Sequence, residues 1–181
     1  LSCRASCPGS RQRAVERAVA ELDIEGILDA LIDGDVEFLV IGGVAVGFHG
    51  YIRATKDVDI VPAPELDNLE RLASVLEKLD AELDGAEDFE SDELPDPLDP
   101  ETLALGGNWV LRTRLGRFDI MQWIGDDALW ETHSPTAIEA AIGELRVKVV
   151  SYENLVALKK LAGRGQDLDD LKKLREARED G

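Results

Sequence analysis

The stretch Phe38–Pro62 constrains this chain most. An apolar, β-branched run, Phe38-Leu39-Val40-Ile41, is broken by Gly42-Gly43. Val44–His49 can make about two helical turns, and Gly50 stops them. Tyr51–Lys56 then carries the cations Arg53 and Lys56, and Asp57-Val58-Asp59-Ile60-Val61 follows with Pro62 at its end. The order is strand, glycine turn, short helix, basic loop, strand. In a strand, residues i and i+2 face the same way, so Asp57 and Asp59 project together while Val58 and Ile60 face a core. Carboxylates roughly 7 Å apart at the backbone repel each other unless a cation lies between them. A hard divalent cation with oxygen ligands fits that place. The alternative is a solvated strand face. Asp33/Asp35 and Asp167/Asp169 repeat the Asp-x-Asp spacing, but only the middle pair lies in a strand pattern behind a strand–glycine–helix unit.

A later strand offers a third acid. Asn108–Leu115 and Arg117–Ile124 read as two strands around Gly116, with Trp109, Leu111 and Leu115 on one face of the first and Arg112 and Arg114 on the other. Asp119 falls between the large apolar residues Phe118 and Ile120. An unpaired charge in a central strand is costly, so Asp119 either pairs with Arg117 or Arg112, or joins Asp57 and Asp59 in a three-carboxylate site.

The remainder reads as scaffold. Apolar residues from Val15 to Ile32 recur at helical spacing, as one amphipathic helix over 13–32 or two broken near Asp23, ended by Gly34. Asp67 is placed to cap a helix running to Leu79. Asp80–Pro100 is acidic and proline-bearing and reads as a solvated loop, without the glycine spacing of a calcium loop. Asp126–Trp130 and Thr136–Ala141 read as short helical pieces, with His133 in a loop between them facing solvent. Leu145–Val150 alternates as a strand. Ser151 caps a helix through Leu161, and after Gly163 and Gly165 a last helix starts at Asp167 with Leu168, Leu171 and Leu174 inside. The whole reads as one α/β domain over residues 13–181, a mixed sheet of about five strands flanked by helices with a helical C-terminal part. Residues 1–12, with Cys3 and Cys7, are expected to be a frayed tail without a zinc site.

The formal net charge of −18 argues against general nucleic-acid binding, because affinity there comes largely from neutralising phosphates. No apolar run approaches the ~20 residues of a membrane span. The first residues lack the apolar centre of a signal peptide, and a cytoplasmic location is expected.

Ile41 to Val61, with Gly42-Gly43 and Asp57-Val58-Asp59, resembles the signature of the polymerase-beta-type nucleotidyltransferase superfamily, and Asp119 in Arg117-Phe118-Asp119-Ile120-Met121 fits its third acid. Lys159-Lys160, Arg164 and Asp167-Leu168-Asp169-Asp170-Leu171 are similar to the tail of AbiEii-type abortive-infection toxins and related antitoxin-like transferases. The resemblance implies transfer of an NMP from an NTP to a hydroxyl of a protein, a tRNA or a small molecule. It implies Mg²⁺ or Mn²⁺ on Asp57, Asp59 and Asp119, with Asp119 as general base. Phosphates would lie at Gly42 and Gly43, neutralised by Arg53, Lys56, Lys160 and Arg164. A cognate toxin or antitoxin is an implied partner. Two departures stand out: Gly43 occupies a position where many active members carry a phosphate-binding Ser, and the chain is shorter than the large toxins. The alternative is therefore a weakly active or inactive module of the same fold that binds a nucleotide or a partner protein. A glycosyl transferase using Asp-x-Asp is disfavoured by the glycine turn and the third acid.

Overall fold

A computed structural model describes residues 20–85 and 94–179. Cys3, Cys7 and the expected N-terminal tail lie outside them, as does the centre of the acidic stretch. Among the described residues no helix is long and apolar enough to cross a membrane.

A seven-stranded mixed sheet forms the frame, in the order β3-β4-β5-β2-β1-β9-β8. The strands are β1 (Phe38–Val40), β2 (Asp57–Pro62), β3 (Glu82–Leu83), β4 (Asn108–Thr113), β5 (Gly116–Met121), β8 (Ile138–Ile142) and β9 (Leu145–Val149); β6 (Trp123–Ile124) and β7 (Asp127–Ala128) make a separate two-stranded ribbon. The pairs β2–β5 and β1–β9 are parallel and the other pairs are antiparallel.

Helix α1 (Ile24–Asp33) begins where the Asp23 carboxylate accepts the Gly26 N–H, so the break near Asp23 is a cap. Its Ile27, Leu28 and Leu31 are fully buried. α2 (Gly42–Phe48) follows β1 directly, starting at the glycines themselves. α3 (Leu66–Lys78) starts after Glu65 with no side-chain cap; Asp67 lies inside its first turn and accepts from Arg71 instead. Leu69, Leu72, Val75 and Leu76 bury its stripe, and α1 and α3 pack on each other and on β2.

Several expectations are corrected. Leu83 pairs with Leu111, so Asp80–Pro100 is not all loop, and Asp99 caps a short helix, α4 (Pro100–Ala104), with proline at its start. The strand expected over 117–124 ends at Met121; Trp123 and Ile124 turn away to pair with Ala128 and Asp127. Residues 138–142 form an edge strand, because Gly143, at φ +60°, turns the chain back so that Ile138–Ile142 pairs with β9. His133 ends α5 (Leu129–His133) and is buried, not solvent-facing; burial lowers its pKa, against a hydrogen bond with Asn154. α6 (Tyr152–Ala162) is capped by Ser151 as expected and ends at Gly163 in the left-handed conformation. α7 (Gly165–Glu179) buries Leu171 and Leu174 but leaves Leu168 exposed.

Candidate active site

The parallel register of β2 and β5 sets Asp57 opposite Arg117 and Asp59 opposite Asp119. Paired residues in a sheet point to one side, so Asp57, Asp59 and Asp119 share a face, while Val58, Ile60, Phe118 and Ile120 are fully buried on the other. One oxygen from each of the three carboxylates lies within 4.8 Å of the others. Among the described residues Asp119 forms no ion pair with an arginine: Arg112 and Arg117 both reach Asp84, at 3.3 and 3.7 Å. Its Oδ1 is buried with no hydrogen-bond partner among the described residues. Burial, then the charges of Asp59 and Asp57, push its pKa from 3.8 to about 7. Burial and Asp57 likewise push Asp59 to about 6, against a hydrogen bond from the Gly43 N–H. The charges of Arg117 on Asp119, and of Lys159 and Arg164 on Asp59, only partly offset this, and three gathered carboxylate oxygens fit a divalent cation with oxygen ligands.

Gly42 has φ +64°, and a Cβ there would run into the Asp59 carboxylate. Glycine is thus required twice at this turn, for its backbone and for its contact with β2. A cleft beside Asp59 is lined by Gly42, Met121, Leu158, Lys159 and Arg164.

The cations divide. Arg164 lines this cleft with a largely exposed side chain held at 2.8 Å by Asp167. Lys56 and Lys160 are exposed and do not line the cleft. Arg53 is committed elsewhere: its Nε and Nη2 donate to the two oxygens of Asp170 at 2.7 and 2.9 Å. The lysine that turns inward is Lys159, which contacts both Asp167 and Asp170 at 2.8 Å. Burial opposes the ionisation of both aspartates, but hydrogen bonds from Arg164 and Lys159 to Asp167, and from Arg53 and Lys159 to Asp170, hold their pKa values low. The Lys159–Asp167–Asp170–Arg53 network ties α6 and α7 to the loop before β2. Helical spacing carried the signal for it: Leu155, Leu158 and Lys159 share a face that Lys160 does not. Asp84 offsets part of the charge of Arg112 and Arg117, and Arg114 donates to the carbonyl of Lys78.

No family model matches the sequence, and no curated protein matches it. Solved structures do. The lincosamide antibiotic adenylyltransferase LnuA, lincomycin-bound, superposes with a TM-score of 0.56 at 15% identity, over 86% of this chain and 98% of that one. The chain has the nucleotidyltransferase fold. The same fold relates it to ANT(2'')-Ia in complex with adenylyl-2''-tobramycin, with a TM-score of 0.55 at 15% identity over 83% of this chain and 84% of that one. An antigenic nucleotidyltransferase-like protein from Paracoccidioides brasiliensis gives 0.53 at 18% identity, over 86% and 78%. Within the nucleotidyltransferase fold of this chain, Asp57, Asp59 and Asp119 occupy the central strands β2 and β5.

Proposed function

We propose that this chain is a metal-dependent nucleotidyltransferase that moves an NMP from an NTP to the hydroxyl of an acceptor, with a small molecule ranked ahead of a protein or a tRNA. One observation carries the reading: three carboxylates converge on one face, and a buried oxygen of one of them, Asp119 Oδ1, has no hydrogen-bond partner among the described residues. Asp57, Asp59 and Asp119 would hold Mg²⁺ or Mn²⁺, which when bound neutralises phosphate charge and acidifies a coordinated hydroxyl. Gly42 and Gly43 keep the turn free of side chains on the phosphate side, and Arg164 supplies a cation beside the cleft. The acceptor oxygen attacks the α-phosphorus and forms the new P–O bond. The bond from that phosphorus to the bridging oxygen breaks, and pyrophosphate leaves with its electron pair. The hydroxyl proton goes to Asp119, the carboxylate in the site best placed to act as general base.

A small-molecule acceptor is favoured on two grounds. The fold neighbours are solved with adenylyl-2''-tobramycin and with lincomycin, and the described arginines next to Asp119, Arg112 and Arg117, both face Asp84, which offsets part of the charge they would present to a polyanion. A role within a toxin–antitoxin or phage-defence pair belongs to the same proposal and rests on the sequence resemblance alone; the cytoplasmic setting proposed with it rests on the apolar pattern of the sequence. The test is incubation with each α-labelled NTP, Mg²⁺ and, separately, total tRNA, lysate protein and a small-molecule extract. Label in the small-molecule fraction is the expected result. Labelled tRNA overturns the acceptor ranking. NTP binding with no transfer to any fraction replaces the enzyme with a nucleotide-binding module.

A further inference from the structure

Position 43 carries no side chain, and the reason lies in Thr55. Unlike Gly42, Gly43 has no positive φ, so its backbone does not call for glycine. Space does. A Cβ on Gly43 would collide with the Thr55 hydroxyl and stand 2.9 Å from the Thr55 Cβ. That hydroxyl belongs to the site: Thr55 Oγ1 lies 3.2 Å from Asp57 Oδ1 and 3.2 Å from the Asp57 carbonyl oxygen. A hydroxyl has one proton to donate, and either bond ties Thr55 to the residue that opens the carboxylate group. The loop is braced from beneath, since Arg53, two residues earlier, is clamped by Asp170. Thr55 therefore sits between a rigid loop, the first turn of α2 and the Asp57 carboxylate.

We propose that Thr55 is a positioning residue of the metal-carboxylate site, and that Gly43 is glycine in order to admit the Thr55 hydroxyl. The inference rests on the metal-binding reading of Asp57, Asp59 and Asp119. A carboxylate at the first residue of a strand can rotate about both of its side-chain bonds. Hydrogen-bonding one oxygen fixes its plane, as groups behind metal ligands commonly do. The absence of a hydroxyl side chain at position 43 is then no sign of a decayed site, because a hydroxyl from the loop fills that space.

The experiment is Mn²⁺ titration followed by electron paramagnetic resonance, with and without a non-hydrolysable NTP analogue, and with melting curves in EDTA to verify folding. Thr55→Val keeps the shape and removes the hydroxyl; it should weaken Mn²⁺ binding about 10- to 100-fold, and Thr55→Ser should rescue it. Gly43→Ala should weaken Mn²⁺ binding as Thr55→Val does, by displacing the hydroxyl. In a Thr55→Gly background, where the space is open and the hydroxyl already gone, Gly43→Ala should add no further loss, a non-additive cycle. If Thr55→Val fails to fold, the Thr55→Ser and Gly43 arms still decide. Unchanged Mn²⁺ affinity in Thr55→Val sinks the positioning role while leaving the metal site standing. Equal damage from Gly43→Ala in both backgrounds means that glycine serves the nucleotide directly. A parent protein that binds no Mn²⁺ under either condition removes the metal reading and this inference with it.

Discussion

Asp119→Asn should make the protein more stable and less active at once. Asp119 is 9% exposed and its Oδ1 has no partner among the described residues, so burial, Asp59 and Asp57 raise its pKa from 3.8 to about 7. A carboxyl with a higher pKa folded than unfolded binds more protons in the folded state between those two values. Stability is therefore greatest below the unfolded pKa and is lost as pH rises through the folded one. At about 1.4 kcal/mol per pKa unit, the ionised group costs the folded state up to about 4 kcal/mol above neutrality, and about 2 if the strain is shared with Asp59. Asparagine keeps the shape without the charge. In EDTA at about pH 8 the variant should thus gain about 2–4 kcal/mol, or roughly 4–16 °C in melting temperature for a chain of this size. At about pH 4, where the folded carboxyl is protonated and the unfolded one is about half ionised, the difference should shrink to under about 1 kcal/mol. Transfer should fall at least about a hundredfold, the lower scale of a lost general base. Calorimetry at the two pH values and a transfer assay on the same preparation check all three outcomes. A variant that melts lower at the alkaline pH, as breaking a buried pair with an arginine would cause at about 3–5 kcal/mol, refutes the reasoning.

Other outcomes follow from the same geometry. Mn²⁺ binding should tighten as pH rises from about 5 to about 8 and then level off, because Asp59 and Asp119, at about 6 and about 7, must shed protons to bind it; a pH-independent affinity by calorimetry contradicts the raised carboxyls. Lys159→Met should cost about 1.5–3 kcal/mol in urea unfolding by removing its charge-assisted bonds to Asp167 and Asp170, which keep Arg164 and Arg53, against no more than about 0.5 kcal/mol for Lys160→Ala; the reverse order would place the wrong lysine inside. Gly42→Ala should lose about 1–2 kcal/mol to the left-handed backbone and abolish Mn²⁺ binding by pushing Asp59 aside; retained binding would free the turn from any part in the site.

The centre of the molecule was legible because pattern and chemistry agree there. Asp57 and Asp59 alternate with Val58 and Ile60, and Asp119 is isolated between two apolar neighbours, so both strands and their shared face could be read. Ile138–Ile142 misled because alanine and glutamate favour helix, while its strand exists only through pairing with β9. The two residues of β3 carry no periodicity at all. Arg53 was assigned to phosphate because nothing local announces Asp170, which lies 117 residues away. The tail, Lys159 to Asp170, was read as a transfer motif, and most of its charge is spent on a buried network that holds α6 and α7 to the loop before β2. Thr55 escaped notice because its importance depends on a side chain that Gly43 lacks.

The parallel pairing of β2 with β5 bears on how such a chain can vary. Everything from Ala63 to Leu115 is crossover, yet the register that sets Asp59 beside Asp119 is carried by the β2–β5 pairing itself, with β5 also held by the tight β4–β5 hairpin around Arg114 and Leu115. The stretch between Leu83 and Asn108 contributes only α4 among its described residues. Doubling the length of a loop costs only about 0.6 kcal/mol. Insertions, deletions and charge changes there leave the three carboxylates in step. Asp84 opens that stretch against Arg112 and Arg117, which lie on β4 and β5 beside Asp119. On the proposed function, changes in this one segment would alter what docks beside Asp119 while the carboxylates stay in place, and a single scaffold would drift from one acceptor to another.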